Sequence, residues 1–302
     1  MTTDQAVGTL DTELNQTMRP RRHWARSLLN IIRQNPLGFF GFLVISILLV
    51  TAIFAPLIAP YEVDDFRSGV SKENPSWSHL FGTDDLGRDM FSRVVHGARI
   101  SMTVAFFAVV GGTVIAMFLG IISGYLGGMV DSTIQRGVDT VIAFPQLLLL
   151  LILAQVLGPS MQTVIIAVGL GIIAPVTRVV RGVTLSERNN QYVEAARALG
   201  ASTPRVLFVH IAPNMVALAI IIASTLFGVA ILAEASLSFL GLGIPVPNPS
   251  WGTDVNLARD SFPIHIWWAL FPGGAIALTV LGFNLLGDSL RDIFDPRLRG
   301  RL

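Results

Sequence analysis

Of 302 residues, 52% are hydrophobic and 14% charged, and the mean hydropathy is +0.63. That balance leaves too little polar surface for a water-soluble globule and argues for lipid as the outer solvent. The net charge of +1 comes from scattered basic residues, which excludes a nucleic-acid-binding stripe, and the absence of cysteine excludes disulfides, thiolate metal sites and cysteine nucleophiles.

In chain order, residues 1–18 are polar and read as a disordered cytoplasmic tail. Residues 19–36 follow, with Trp24, Leu28, Ile31 and Ile32 on one helical face and Arg22, Arg26 and Arg33 around them. This pattern predicts an amphipathic helix lying in the membrane surface, the alternative being a longer tail with chance apolar residues. The segment is too polar and the apolar run after it too long for a cleavable signal.

A membrane-crossing helix needs about 20 apolar residues. Charge-free runs predict spans at 37–58, 102–122, 140–157, 161–180, 214–236 and 266–287, within a permease domain of 37–290 and before a tail at 291–302. Gly158-Pro159-Ser160 separates the third span from the fourth, because an unbroken run from Thr140 to Thr177 is too long for one helix. Six spans put both termini on one side. With the termini inside, most of the 21 basic residues are cytoplasmic, and only Arg67, Lys72, Arg88, Arg93, Arg99 and Arg259 are external. The external loops are then 60–99 and 241–265.

The cytoplasmic loop 186–213 reads SERNNQYVEAARALGASTPRVLFVHIAP. Asn189 or Asn190 can cap a first helix, Gly200 can end it in the left-handed conformation, and Thr203-Pro204 can start a second that Pro213 stops. Tyr192, Ala195, Ala196 and Leu199 share one face of the first helix. Little side-chain bulk there suits insertion into a partner's groove, although composition alone equally suits an ordinary connecting loop.

Glu194-Ala195-Ala196, then Gly200, Ile211 and Pro213, resembles the EAA loop of ABC importer permeases. Ala212 stands where that family usually has leucine. HLFGTDDLGRDMFSRVVHGARIS (79–101), SLSFLGLGIPVPNPSWG (236–252) and FNLLGDSLRDIFDPRLRG (283–300) resemble the dipeptide/oligopeptide/nickel branch, in its C-type subunit. Roughly residues 20–300 take part in the likeness. The resemblance implies a type I, MetI-like permease fold, with the interfacial helix at its start. It implies that Tyr192, Glu194, Ala195, Ala196, Arg197, Leu199, Gly200 and Ala201 couple the chain to an ATPase. The implied partners are a B-type permease, two ATP-binding-cassette subunits or domains and an external substrate-binding protein, in a bacterial cytoplasmic membrane.

Among the other motifs, Asp84, Asp85, Arg88 and Asp89 read first as ion pairs and caps in a short external helix. Contact of Asp84, Arg88 and Asp89 with a binding protein is the alternative. Pro247 and Trp251 belong to a proline-stiffened loop that can form an external gate or binding-protein platform, with Trp251 able to anchor at the headgroups. Glu234 and Asp288 lie near span ends and read as solvated, structurally paired acids rather than a proton relay. Gly111, Gly112, Gly120, Gly124, Gly169 and Gly171 suit close helix packing. Phe144-Pro145 is expected to kink the third span, and Pro175, Pro272 and Gly273-Gly274 to interrupt regular backbone.

The sole lysine, Lys72, stands between Ser71 and Glu73, so no GxxxxGK[ST] phosphate loop is present. The five histidines are widely separated and form no HExxH-like pair, so nothing in their spacing suggests a metal site, although the fold can still bring them together in space. No catalytic residue, metal or cofactor is therefore expected on this chain, with ATP and magnesium held by partner ATPases. The reading is an all-α integral membrane protein with six transmembrane helices, a permease subunit importing di- or oligopeptides or a related small solute. The alternative is an ion-coupled secondary transporter acting without an ATPase, which the avoidance of span centres by charges disfavours.

Overall fold

The computed structural model describes residues 35–66 and 68–294. The expected tail at 1–18, nearly all of the expected interfacial helix and most of the tail at 291–302 lie outside these residues. The elements are α1 (Pro36–Ile53), α2 (Ala55–Ile58), α3 (Met90–Leu126), α4 (Gly128–Ile142), α5 (Gln146–Leu157), α6 (Met161–Glu187), α7 (Gln191–Ala198), α8 (Val216–Phe239), α9 (Trp251–Ala258) and α10 (Ile266–Phe294). Among the described residues no strand occurs.

Five of these helices, α1, α3, α6, α8 and α10, are long and apolar enough to cross a membrane. The expected third span is not one straight helix. α4 and α5 pass the same test only together, with a bend of 90° between them. Proline lacks an N–H and disfavours helical backbone in the residue before it, so the chain breaks at Ala143-Phe144 and restarts with Pro145 as the N-cap of α5. α5 alone, at 12 residues, is about 18 Å long against a hydrocarbon core of about 30 Å. Counting the bent pair as one span gives six.

Other boundaries shift for local reasons. The span expected at 37–58 breaks at Phe54, where α2 begins with Pro56 near its start. The second begins earlier, at Met90, because the Asp89 carboxylate accepts from the Ser92 backbone N–H (2.7 Å) and caps the helix there. Its 37 residues make a rod of about 55 Å. Pro175 and Pro272 do not interrupt α6 and α10, which continue through them.

Small residues set how closely the helices approach. A Cβ at Gly120 would lie 2.6 Å from the Val180 side chain and 2.9 Å from the Thr177 carbonyl oxygen. One at Gly124 would lie 2.7 Å from Thr184, and one at Gly112 3.0 Å from the Gly169 carbonyl oxygen. These three glycines let α3 lie against α6, the helix-packing role read from the sequence; Gly111 faces open space instead. α1 meets α10 the same way, Gly41 opposing the Gly282 carbonyl oxygen, and α8 meets α10 through stacked Phe227 and Phe283 rings 4.7 Å apart.

Gly120→Ala should therefore lower the apparent unfolding temperature of the detergent-solubilised protein, by strain of about 1–3 kcal/mol from overpacking. Gly111→Ala, where nothing lies within 4 Å, should leave it unchanged or raised through helix propensity. Equal shifts for the two variants would contradict the close contact of α3 and α6.

Candidate functional site

Two polar constellations stand at opposite ends of α3. At its C-terminal end lies the 188–215 segment. Asn190 holds the N-cap position of α7 but its side chain does not cap it; Asn190 Nδ2 donates instead to Glu187 Oε2 (2.9 Å). Tyr192 Oη donates to the same oxygen (2.6 Å). Burial, then that hydrogen bond to Glu187, push the Tyr192 phenol above its ordinary 10.0, so it stays a neutral donor at physiological pH.

α7 ends in a Schellman motif. Gly200 takes φ +81°, its N–H donates to the Arg197 carbonyl (2.9 Å), and the Ala201 N–H donates to the Ala196 carbonyl (3.0 Å). This is the left-handed stop expected of Gly200. The turn throws Leu199 outward, 88% exposed. Val193 and Ala196 are buried underneath, and every other residue from Gln191 to Gly200 is exposed, Tyr192, Glu194, Ala195, Arg197, Leu199 and Gly200 among them. Ala196 is thus corrected from the outward to the inward face, and Ala201 is half-buried at the turn.

Two arginines hydrogen-bond the segment to α3, and Phe208 stacks on Phe118 of the same helix, ring centres 6.4 Å apart. Arg197 Nε donates to Tyr125 Oη (3.1 Å), with the guanidinium 4.9 Å from that ring's centre. Arg188 Nη1 donates to the Gly124 carbonyl (3.3 Å). Pro213 does not stop the second helix as expected. The helix that starts at Thr203 runs past it, to Asn214, through a π-helical turn at Val206–Ile211 whose wider ring takes the Ala212 N–H to the Leu207 carbonyl, and the single turn residue Met215 separates it from α8. Tyr125 was not singled out from the sequence, since a tyrosine closing an apolar run carries no local sign of a distant arginine.

At the other end of α3, acids and arginines are buried. Asp84 is no part of a short helix. Its carboxylate closes a turn by accepting from the backbone N–H groups of Leu86 and Arg88 (2.9 Å each) and from Arg88 Nε (2.5 Å). Asp89 caps α3 and meets His79 Nδ1 (2.9 Å). Arg93 donates through Nε and Nη2 to Asp254 Oδ1 (2.9 and 2.5 Å), joining α3 to α9.

Trp251 is fully buried, its Nε1 donating to the Val94 carbonyl (3.0 Å), so it is not a headgroup anchor. Burial likewise removes Asp84, Arg88, Asp89 and Trp251 from any surface contact; of the five external candidates only Pro247 is exposed. Glu234 is not solvated either. It is wholly buried and accepts from the hydroxyls of Ser101 (2.9 Å) and Ser238 (2.8 Å), whereas Asp288 is exposed. Asp254, missed among the sequence candidates, is the one charge in its short helix, and only its distant arginine reveals its role.

The family model described as the binding-protein-dependent transport system inner membrane component matches residues 116–300, which include α4–α10 and the Leu199–Gly200 corner. The chain belongs to this family. As a member it is a non-catalytic membrane subunit of an ABC transporter, a permease. A second family model, the N-terminal TM domain of oligopeptide transport permease C, matches residues 24–75. The permease is similar to the dipeptide transport system permease protein DppC of Alkalihalophilus pseudofirmus, at 41% identity over 89% of this chain and 88% of that protein. It is similar to the oligopeptide transport system permease protein OppC of Bacillus subtilis, at 40% identity over 91% of this chain and 90% of that one. It also resembles the glutathione transport system permease protein GsiD of Pectobacterium atrosepticum, at 40% identity over 92% and 93%.

Proposed function

We propose that this permease is the C-type membrane subunit of an importer for di- or oligopeptides or a similar small solute such as glutathione, driven by ATPase subunits that dock on α7 and the Leu199–Gly200 corner. The observation that carries the reading is Leu199, an aliphatic side chain almost fully exposed on a polar loop. A large apolar side chain held out by a rigid turn suits a partner's groove. Tyr192, Glu194, Ala195 and Arg197 form the polar rim of the same surface, and Ala196 and Ala201 hold it from beneath.

The partners are a second, B-type permease, two ATP-binding-cassette subunits or domains holding ATP and magnesium, and an external binding protein that delivers cargo. The Leu199 end and both termini are cytoplasmic, and the Asp84–Asp254 end faces the binding protein, with Pro247 available for contact. ATP-driven closure displaces α7 and rocks the helix bundle between inward- and outward-facing states. The energy comes from the difference in ATP binding between those states.

The test is purification of the detergent-solubilised protein from its native membrane with every accompanying chain identified. A second permease and a phosphate-loop ATPase are expected, the ATPase being lost from Glu194→Lys. Recovery of the chain alone, under conditions that preserve other such complexes, would replace this reading by an ion-coupled transporter.

A further inference from the structure

We infer that Ser123, Tyr125, Asp131 and Arg181 form the transmission that passes movement of the 188–200 segment to α4; this rests on the coupling role proposed above. Three consecutive residues at the end of α3 each hold a different element. Ser123 Oγ donates to Asp131 Oδ1 and accepts from Gln135 Nε2 (3.0 Å), which fixes α4. The Gly124 carbonyl accepts from Arg188, just beyond α6. Tyr125 holds Arg197 of α7 by its hydroxyl and its ring. Arg181 of α6 closes the arrangement, donating through Nε and Nη2 to the two oxygens of Asp131 (2.6 and 2.5 Å). The pair is bidentate and partly shielded, the geometry in which an arginine–carboxylate contact is directional rather than merely attractive.

α4 has the form of a lever worked from that point. Of its 15 residues only Val138 is buried, so packing does little to hold it. At its start Gly127 and Gly128 both take positive φ (+67° and +56°), and no atom would crowd a Cβ at Gly128. At its far end comes the 90° break before α5. The break borders a cleft of about 370 Å3 lined by Ile142, Phe144, Pro145, Gln146, Gly171 and Pro175. Fifteen residues carry a displacement at Asp131 toward that cleft through a rigid rod of about 22 Å. Along the way one further ion pair, Arg178 with Asp139, restrains it, and that pair is half-exposed. A loop movement pulling on Tyr125 and Gly124 therefore reaches Asp131 through one residue of α3, and α4 swings about its glycine pair to reshape the cleft.

The test uses the whole complex reconstituted in vesicles, with ATP hydrolysis and solute uptake measured on the same preparation. Asp131→Asn keeps the shape and the Ser123 contact but discards the charge that orients Arg181. It should leave the ATPase subunits bound and hydrolysis near that of the unaltered complex. Uptake should fall about ten-fold or more, within the range of inter-site coupling free energies. The exchange Asp131→Arg with Arg181→Asp should restore uptake per ATP. Normal uptake by Asp131→Asn would overturn the inference, as would a proportional loss of uptake and hydrolysis that the exchange does not repair. Failure of the underlying coupling role has a different signature, since the unaltered complex would then carry no ATPase subunit.

Discussion

Gly200→Asp is expected to abolish uptake while leaving the permease inserted and folded. Gly200 sits at φ +81°, where an L-residue is disfavoured by about 1–2 kcal/mol, but aspartate and asparagine tolerate this region better than other residues. No atom lies within 4 Å of the position a Cβ would take, so the new side chain meets nothing within its own fold. It projects beside Leu199 into the volume that a docked ATPase would fill. A carboxylate forced into an apolar contact must be desolvated, and without a partner this costs several kcal/mol. Gly200→Asn separates the two effects, having the same backbone tolerance and nearly the same size without the charge. Uptake should rank unaltered protein above Gly200→Asn, and Gly200→Asn above Gly200→Asp, with all three present in the membrane at similar levels. Glu194→Lys should act in the same direction by reversing a rim charge. Normal uptake by Gly200→Asp would remove the Leu199–Gly200 corner from any docking role.

That corner was legible in the sequence because its determinants are local. A left-handed glycine and a proline at a helix start, Gly200 and Pro204, lie within five residues, and Gly200 performs the part its type suggests, whereas the asparagine cap expected before α7 is not made. The long helices were legible for a similar reason, since a run without charges has one solvent it can tolerate. Three kinds of feature were not legible. The break at Pro145 was foreseen only as a kink, because a proline shows that helical bonding is disturbed but not by how much the path turns. Burial of Asp84, Arg88 and Asp89 was missed because charged loop residues are ordinarily solvated; their partners include turn backbone that no side-chain pattern displays. Contacts across long separations, Arg93 with Asp254 and Arg181 with Asp131, were invisible since either member alone is an ordinary charge near a span end. The external candidates failed on the same point, for Trp251 and Arg88 had the right chemistry for a surface and were placed inside.

Arg93→Leu and Asp254→Leu should each destabilise the permease severely, and the double substitution should recover most of the loss. Both side chains are almost wholly buried, and together they join the start of α3 to α9 across 161 residues of sequence. Removing one partner strands the other charge away from water, at a cost of about 3–5 kcal/mol, whereas replacing both by apolar side chains is often neutral. The pair is also imperfectly satisfied, since Arg93 Nη1 and Asp254 Oδ2 have no hydrogen-bond partner among the described residues. The double variant therefore loses two unpaired buried atoms along with the ion pair.

The two single variants separate by pH. Burial pushes the Asp254 carboxyl above its ordinary 3.8, against the pull of Arg93. A carboxyl whose folded pKa exceeds its unfolded value binds its proton more tightly when folded, so stability falls as pH rises from the unfolded value through the folded one. Arg93→Leu takes away the opposing pull and moves the upper edge of that window higher. Its apparent unfolding temperature should rise on acidification from about pH 8 to about pH 5, as Asp254 takes up a proton and the stranded charge disappears. Asp254→Leu leaves a guanidinium that cannot shed its charge in this range, so acidification brings it no such relief. A double variant as unstable as the singles, or equal pH responses in the two singles, would show that α9 is held to α3 by the packing of Trp251 on Gly97 of α3, where a Cβ would lie 3.0 Å from the indole ring, rather than by this ion pair.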